Sequence, residues 1–186
     1  NEAAKALYAS LGYSSLGTLT TWNLLSSRQS MPQQAFYHED DEVDVRKLPL
    51  SRWQEAYRLD MLTKHANLYW PDPLQRDEYR HDFKRRVNDF FSGKSLEIWS
   101  IISGANDLQG LATINSEWGR AHQLRVRVHP EYQGPLESPL VHRLLYRLQV
   151  LPRRQVKLFH DADDVVMNQL LPGMRFRAER SLTQMR

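Results

Sequence analysis

From Gln123 to Val128 the chain alternates strictly: Leu124, Val126 and Val128 are apolar, and Gln123, Arg125 and Arg127 are polar. A period of two predicts a strand with one buried face, and Pro130 ends it. The period then changes. Leu140, Val141, Leu144, Leu145 and Leu148 recur on one helical face. Ser138 is placed to cap this helix, and Pro139 fits its first position, where a missing N–H costs nothing. Between strand and helix lies EYQGPLES, residues 131–138. Its backbone N–H groups would converge toward the helix N-terminus, a geometry that suits a phosphate.

The same reading orders the rest of the chain. Residues 1–11 read as a helix with Ala4, Leu7, Tyr8 and Leu11 on one face, Gly12 as its left-handed C-terminal residue, and a strand over 13–25. Residues 26–42 are polar, with the acidic run HEDDE, and read as a solvated linker. A metal site from His38, Glu39, Asp40 and Asp41 is disfavoured, because consecutive residues do not easily aim at one ion. A strand over 43–48 precedes Ser51 and Gln54, a capping-box pair. The helix behind them should reach Ala66 with Trp53, Ala56, Tyr57 and Met61 inward. Asp72-Pro73 opens another helix, with an apolar stripe of Phe83, Val87, Phe90 and Phe91 ended by Gly93. Strands over 96–103 and 110–116 are joined by a hairpin turn at 104–107, and a turn at Trp118-Gly119 leads into the central strand. A strand over 156–160, a helix from 161 ending at Gly173, and a strand over 175–182 complete the order. The helix-glycine-strand unit thus occurs twice, at Gly12 and Gly173, 161 positions apart (173 − 12). That spacing is about one domain.

Composition narrows the picture. A chain of 186 residues suits one domain or slightly more, long enough to bury a core. It has no cysteine, so disulfides and thiolate metal sites are excluded, in keeping with a reducing, cytoplasmic setting. No apolar run approaches the ~20 residues of a membrane span. The net charge of +3 is too small and scattered to indicate nucleic acid, and it is compatible with an anionic ligand. The chain opens inside a helix with no apparent preceding cap, and reads as a fragment or as a protein whose N-terminal part was removed.

Two stretches carry a resemblance. V-x-P-E-Y-x-G before an amphipathic helix, with Val128, Pro130, Glu131, Tyr132, Gln133 and Gly134, resembles the acetyl-CoA loop of the GNAT superfamily of N-acetyltransferases. NEAAKALYASLGY resembles the motif that closes a GNAT domain, through Asn1, Ala4, Leu7, Tyr8, Gly12 and Tyr13. The order of elements over 43–183 is also that of the family. The resemblance implies an α+β (α/β) fold, a mixed, mostly antiparallel sheet flanked by helices. It implies that residues 1–27 close a preceding GNAT domain, 28–42 are a linker, and 43–186 form a second GNAT domain. Two strands should splay beside Val128 and leave a slot for a pantetheine arm.

The implied activity is transfer of acetyl from acetyl-CoA to a small-molecule or peptide amine, without metal. The Val128 backbone would hold the acyl carbonyl, and the backbone around Gln133, Gly134, Leu136, Glu137 and Ser138 the pyrophosphate. The loop departs from the family pattern: the second glycine is missing, the loop is one residue short, and Pro135 and Pro139 each delete a donor. In the family the tyrosine matching Tyr8 often protonates the CoA thiolate, which makes Tyr8 the candidate acid. Counted back from Gly173, its second-domain counterpart is Gln169, which is no useful proton donor; Tyr132 and Tyr146 are substitutes. Glu117 is the candidate catalytic base, with Glu97 beside it on the central strands, and His129 follows Val128 directly. The alternative reading is a degenerate, non-catalytic GNAT domain that packs on an active one. Packing against another GNAT domain or a second copy is compatible with both.

Overall fold

The computed structural model describes residues 2–24, 43–63, 76–80, 88–89, 91–104 and 107–186. The acidic run 38–42, most of the stripe before Gly93 and the tip of the turn at 105–106 lie outside the described residues. In chain order the elements are α1 (Glu2–Ser10), β1 (Ser15–Leu24), β2 (Val45–Lys47), α2 (Trp53–Thr63), α3 (Arg76–Tyr79), β3 (Lys94–Ile102) and β4 (Leu108–Glu117). They continue with β5 (His122–Val128), α4 (Glu137–Leu148), β6 (Val156–Asp161), α5 (Val165–Gly173) and β7 (Arg177–Met185).

The strands form one sheet in the order β2-β3-β4-β5-β6-β1-β7. Every pairing is antiparallel except β5 with β6. The period-two pattern of β5 is realised fully: His122, Leu124, Val126 and Val128 are buried, and Gln123, Arg125 and Arg127 face the other way. Helix α4 lies on the apolar side. Its Leu140, Val141, Leu144, Leu145 and Leu148 are buried in the main core with Leu124, Val126, Ile114, Leu158, Met167 and Leu171. Burying five such side chains, at about 1.5–3 kcal/mol each, is what fixes α4 to the sheet. Helix α2 covers the opposite face through Ala56 and Leu59, which meet Leu111.

Three local expectations are revised. Ser51 and Gln54 form no capping box. The chain turns earlier, in a 3-10 turn over Leu50–Arg52 with no side-chain cap, and Arg52 pairs with Glu55 instead. Along α2, Leu59 rather than Met61 faces inward. Helix α4 begins before Ser138: Leu136 is its N-cap, without a side-chain bond, and Pro139 is the third helical residue. The Ser138 hydroxyl meets His142 Nδ1 at 3.2 Å.

Strand β1, assigned from the sequence to the end of a preceding domain, lies inside this sheet between β6 and β7. Its Trp22 and Leu24 belong to the main core.

Candidate functional site

The parallel pair β5–β6 is in register only over His122–Val156, Gln123–Lys157 and Leu124–Leu158. Beyond Leu124 the strands part. The gap is a cavity of about 390 Å³, with Val126, Val128, Gln133, Glu137, His160, Asp164 and Met167 among its walls. This is the splay expected beside Val128.

The slot brings together some of the sequence candidates. Val128, Gln133 and Glu137 line it. Gly134 adopts φ 108°, a left-handed conformation open to glycine at little cost. Its N–H does not point to an empty cradle: it donates to Glu137 Oε2 at 2.8 Å. Glu137 is 2% exposed, and its other oxygen has no hydrogen-bond partner. Burial raises its carboxyl above the usual range, the N–H groups of Glu137 and Gly134 oppose this, and the Asp164 charge adds to it. Leu136 is buried and Ser138 is occupied with His142.

Other candidates stand elsewhere. Glu117 ends β4 and pairs with Arg120 at 3.1 Å. In the β4–β5 register the mouth of the slot is at Val128, opposite Gly110, whereas Asn115 faces Gln123 near the other end. Glu117 is therefore about 20 Å of strand away, too far to act as base there. Glu97 is held by Arg147 through two bonds of 2.6 and 2.7 Å. That partner keeps its carboxyl below the usual range against the opposing effect of burial, which suits a structural anion rather than a base. His129 caps a 3-10 turn, its Nδ1 accepting from the Glu131 N–H at 3.3 Å. Tyr8 is half exposed and stacked edge-on against Tyr13. It is not among the residues lining the slot.

Sequence reasoning missed two groups. His160 Nε2 lies 2.8 Å from Asp164 Oδ2, and Asp164 also caps α5 by accepting from the Met167 N–H. Burial pushes this carboxyl up, but the His160 and Met167 bonds outweigh it and the net shift is downward. A cap at Asp164 was legible from Asp before an apolar run; its meeting with His160 was not. The second group lines a cavity of about 300 Å³ on the α2 face, with Asp60, Tyr79, Arg125 and Arg127. The Tyr79 hydroxyl donates to Asp60, and Arg127 stands 3.6 Å from the same carboxylate. Burial first, then the Asp60 charge, raises the Tyr79 hydroxyl. These residues come from three separate elements, and no local pattern joins them.

The aliphatic walls Val126, Val128 and Met167 suit an extended, mostly apolar arm. For a diphosphate the loop offers few free donors. Pro135 and Pro139 supply no N–H, Glu137 occupies the amide of Gly134, and Asp161, Asp163 and Asp164 add negative charge to the same walls. Among the described residues no cluster could hold a metal ion, and no helix is long and apolar enough to cross a membrane.

A mixed sheet with a single parallel pair that parts toward its end, followed by the helix of the central strand, is the acyl-CoA N-acyltransferase fold of the GNAT superfamily. Comparison with solved structures bears this out. The chain is similar to a tandem GNAT protein from the clavulanic acid biosynthesis pathway, with 18% identity, a TM-score of 0.66, and coverage of 100% of this chain and 58% of that one. It is similar to a GCN5-related N-acetyltransferase from Sphaerobacter thermophilus, with 12% identity, a TM-score of 0.64, and coverage of 100% and 56%. It is also similar to SpeG, the spermidine/spermine N-acetyltransferase of Vibrio cholerae, with 16% identity, a TM-score of 0.54, and coverage of 75% and 82%. Identities this low show the fold alone. The chain spans 58% of the clavulanic acid pathway protein and 65% of a Staphylococcus epidermidis protein of unknown function. No protein-family model and no curated protein matches the sequence.

Proposed function

We propose that this chain works in an acetyl-CoA-dependent N-acetyltransferase that acylates an amine on a small molecule or peptide. The parting of β5 and β6 beyond Leu124–Leu158, beside Val128, carries this reading. It supplies the fold's characteristic slot, with apolar walls for the arm of a thioester. The α2-face cavity at Asp60 and Tyr79 is where an acceptor would approach, since Arg127 borders both cavities.

A second reading concerns residues 43–186 alone, and Glu137 favours it. Its carboxylate already accepts the N–H that a diphosphate oxygen would take. On this reading the domain keeps the slot, has lost the anion cradle, and serves as the structural partner of a catalytic domain.

Calorimetric titration with CoA separates the two. Binding by the unaltered chain at or below millimolar CoA supports catalysis by this domain. Silence in the unaltered chain with binding restored in Glu137→Gly supports the partner role. Silence in both, with folded protein shown by circular dichroism, removes the acyl-CoA reading.

A further inference from the structure

The face of the sheet under α2 carries a pattern of its own. Across the ladders Ile98 stands opposite Thr113, and Thr113 opposite Arg125. One step along, Leu96 stands opposite Asn115, and Asn115 opposite Gln123. Alternate residues of a strand point the same way and paired residues share a side, so these side chains form one floor. All of them line the cavity of about 300 Å³, which has Ala56, Asp60 and Tyr79 on its helical side. The floor is graded. Its β3 residues are apolar, its β4 residues neutral and polar, and its β5 residues polar and cationic.

The hydrogen-bonding capacity of this floor is unused. Thr113, Asn115, Gln123 and Arg125 make no side-chain hydrogen bond or ion pair among the described residues. Asp60 is the one carboxylate among the described walls, and it is served: Tyr79 donates to it and Arg127 stands 3.6 Å away. Arg127 also donates to the Val126 carbonyl at 2.9 Å. Among the described walls, Arg125 is thus the cation left without a counter-charge. Its guanidinium has five N–H donors and no acceptor, and the amides and hydroxyl beside it can donate as well. A planar anion with several acceptor atoms matches such a wall, and a carboxylate is one.

The neighbouring slot has the opposite character. Glu137, Asp161, Asp163 and Asp164 line it, and Arg127 borders both cavities. Positive charge on a ligand is therefore favoured toward the slot, and negative charge at Arg125. Arg125 lies two residues further from the slot than Arg127, about 7 Å along β5. Leu96 and Ile98 offer an apolar surface across the floor from it.

We propose that Arg125, with Thr113, Asn115 and Gln123 around it, is an anion subsite, and that the acceptor of this chain is an amine that also carries a carboxylate and an apolar body, as an apolar amino acid does. The carboxylate is held at Arg125, the apolar body lies on Leu96 and Ile98, and the amine is turned toward Asp60, at the end where the slot opens. That this ligand is acylated rests on the acyltransferase reading above; that the cavity holds a carboxylate does not.

Three probes of one shape test it: L-phenylalanine, 3-phenylpropionate, which lacks the amine, and 2-phenylethylamine, which lacks the carboxylate. Each is titrated into the 186-residue chain and followed by backbone amide signals in heteronuclear NMR spectra. Phenylalanine and 3-phenylpropionate should shift the amides of residues 113–115 and 123–125. The amine without a carboxylate should bind ~10–100-fold more weakly than phenylalanine, the loss expected when a charge-assisted hydrogen bond is removed. Arg125→Gln should bring phenylalanine down to the level of 2-phenylethylamine. Arg125→Lys keeps the charge without the planar fork and should fall between. Arg125 is exposed, so both variants should fold, which circular dichroism checks. Equal binding of phenylalanine and 2-phenylethylamine, shifts confined to other residues, unaltered phenylalanine binding by Arg125→Gln, or silence toward all three probes overturns the proposal. The CoA titration above fails separately. A chain silent to CoA that still discriminates through Arg125 loses the transferase reading and keeps the anion subsite; a chain that binds CoA without this discrimination loses the subsite alone.

Discussion

Glu137 holds two roles that the sequence could not separate. Its backbone begins α4, and its side chain folds back onto the Gly134 N–H. A carboxylate there meets the helix N-terminus, which favours negative charge, yet burial outweighs this and raises its pKa. The sign of the pH effect follows. A folded-state pKa above the unfolded value stabilises the fold below the unfolded value, about 4.3 for glutamate, and that stabilisation is lost as pH rises through the folded one. Glu137→Gln keeps an oxygen for Gly134 and removes the charge. The variant should therefore match the unaltered chain near pH 4 and exceed it in melting temperature at pH 7, as differential scanning calorimetry would show. A lower melting temperature at pH 7 would mean that the ionised form is the stabilised one. Glu97 is the contrary case, since Arg147 supplies the charge that Glu137 lacks.

At the scale of elements, the closing turn behind α5 shows how a sequence signal can mislead by two residues. Glycine is the common left-handed residue after a helix, so Gly173 was the natural choice. The chain instead continues through Gly173 and places Arg175 in the left-handed region. The buried Leu171 and Phe176 fix that register. The counterpart of Tyr8 is therefore Leu171, not Gln169, and Leu171 is a core residue with no proton to give. A side chain with a Cβ in this conformation costs roughly 1 kcal/mol relative to glycine. Arg175→Gly should stabilise the fold by about 0.5–1 kcal/mol in urea unfolding, with an unchanged m-value. Destabilisation would show that the Arg175 side chain contributes more than its backbone costs.

For the whole molecule, the decisive feature is a strand from the start of the chain lying sixth in the sheet. β1 is bonded on both sides, to β6 and β7, and carries Trp22 and Leu24 into the core. Residues 1–24 thus complete the domain that follows them. Deleting them removes two ladders and two buried side chains worth about 2–5 kcal/mol each. At roughly 2–4 °C per kcal/mol for a chain of this size, the melting temperature should fall by more than about 10 °C, or the transition should lose its cooperativity. A small fall would mean that β7 moves in to pair with β6.

Local patterning determined much of this protein by itself. The alternation along β5, the apolar stripe of α4, the turns at Trp118-Gly119 and around Gly134, and the order of strands and helices follow from the spacing of side chains within a few residues. Those spacings act before the chain has any global shape. The tertiary structure alone decided which strand β1 joins, where β5 and β6 part, that Glu117 lies a strand's length from the slot, and that Glu137 turns its carboxylate onto Gly134. Each depends on groups far apart in the chain meeting in one low-dielectric place, where packing and desolvation, rather than sequence spacing, determine the outcome.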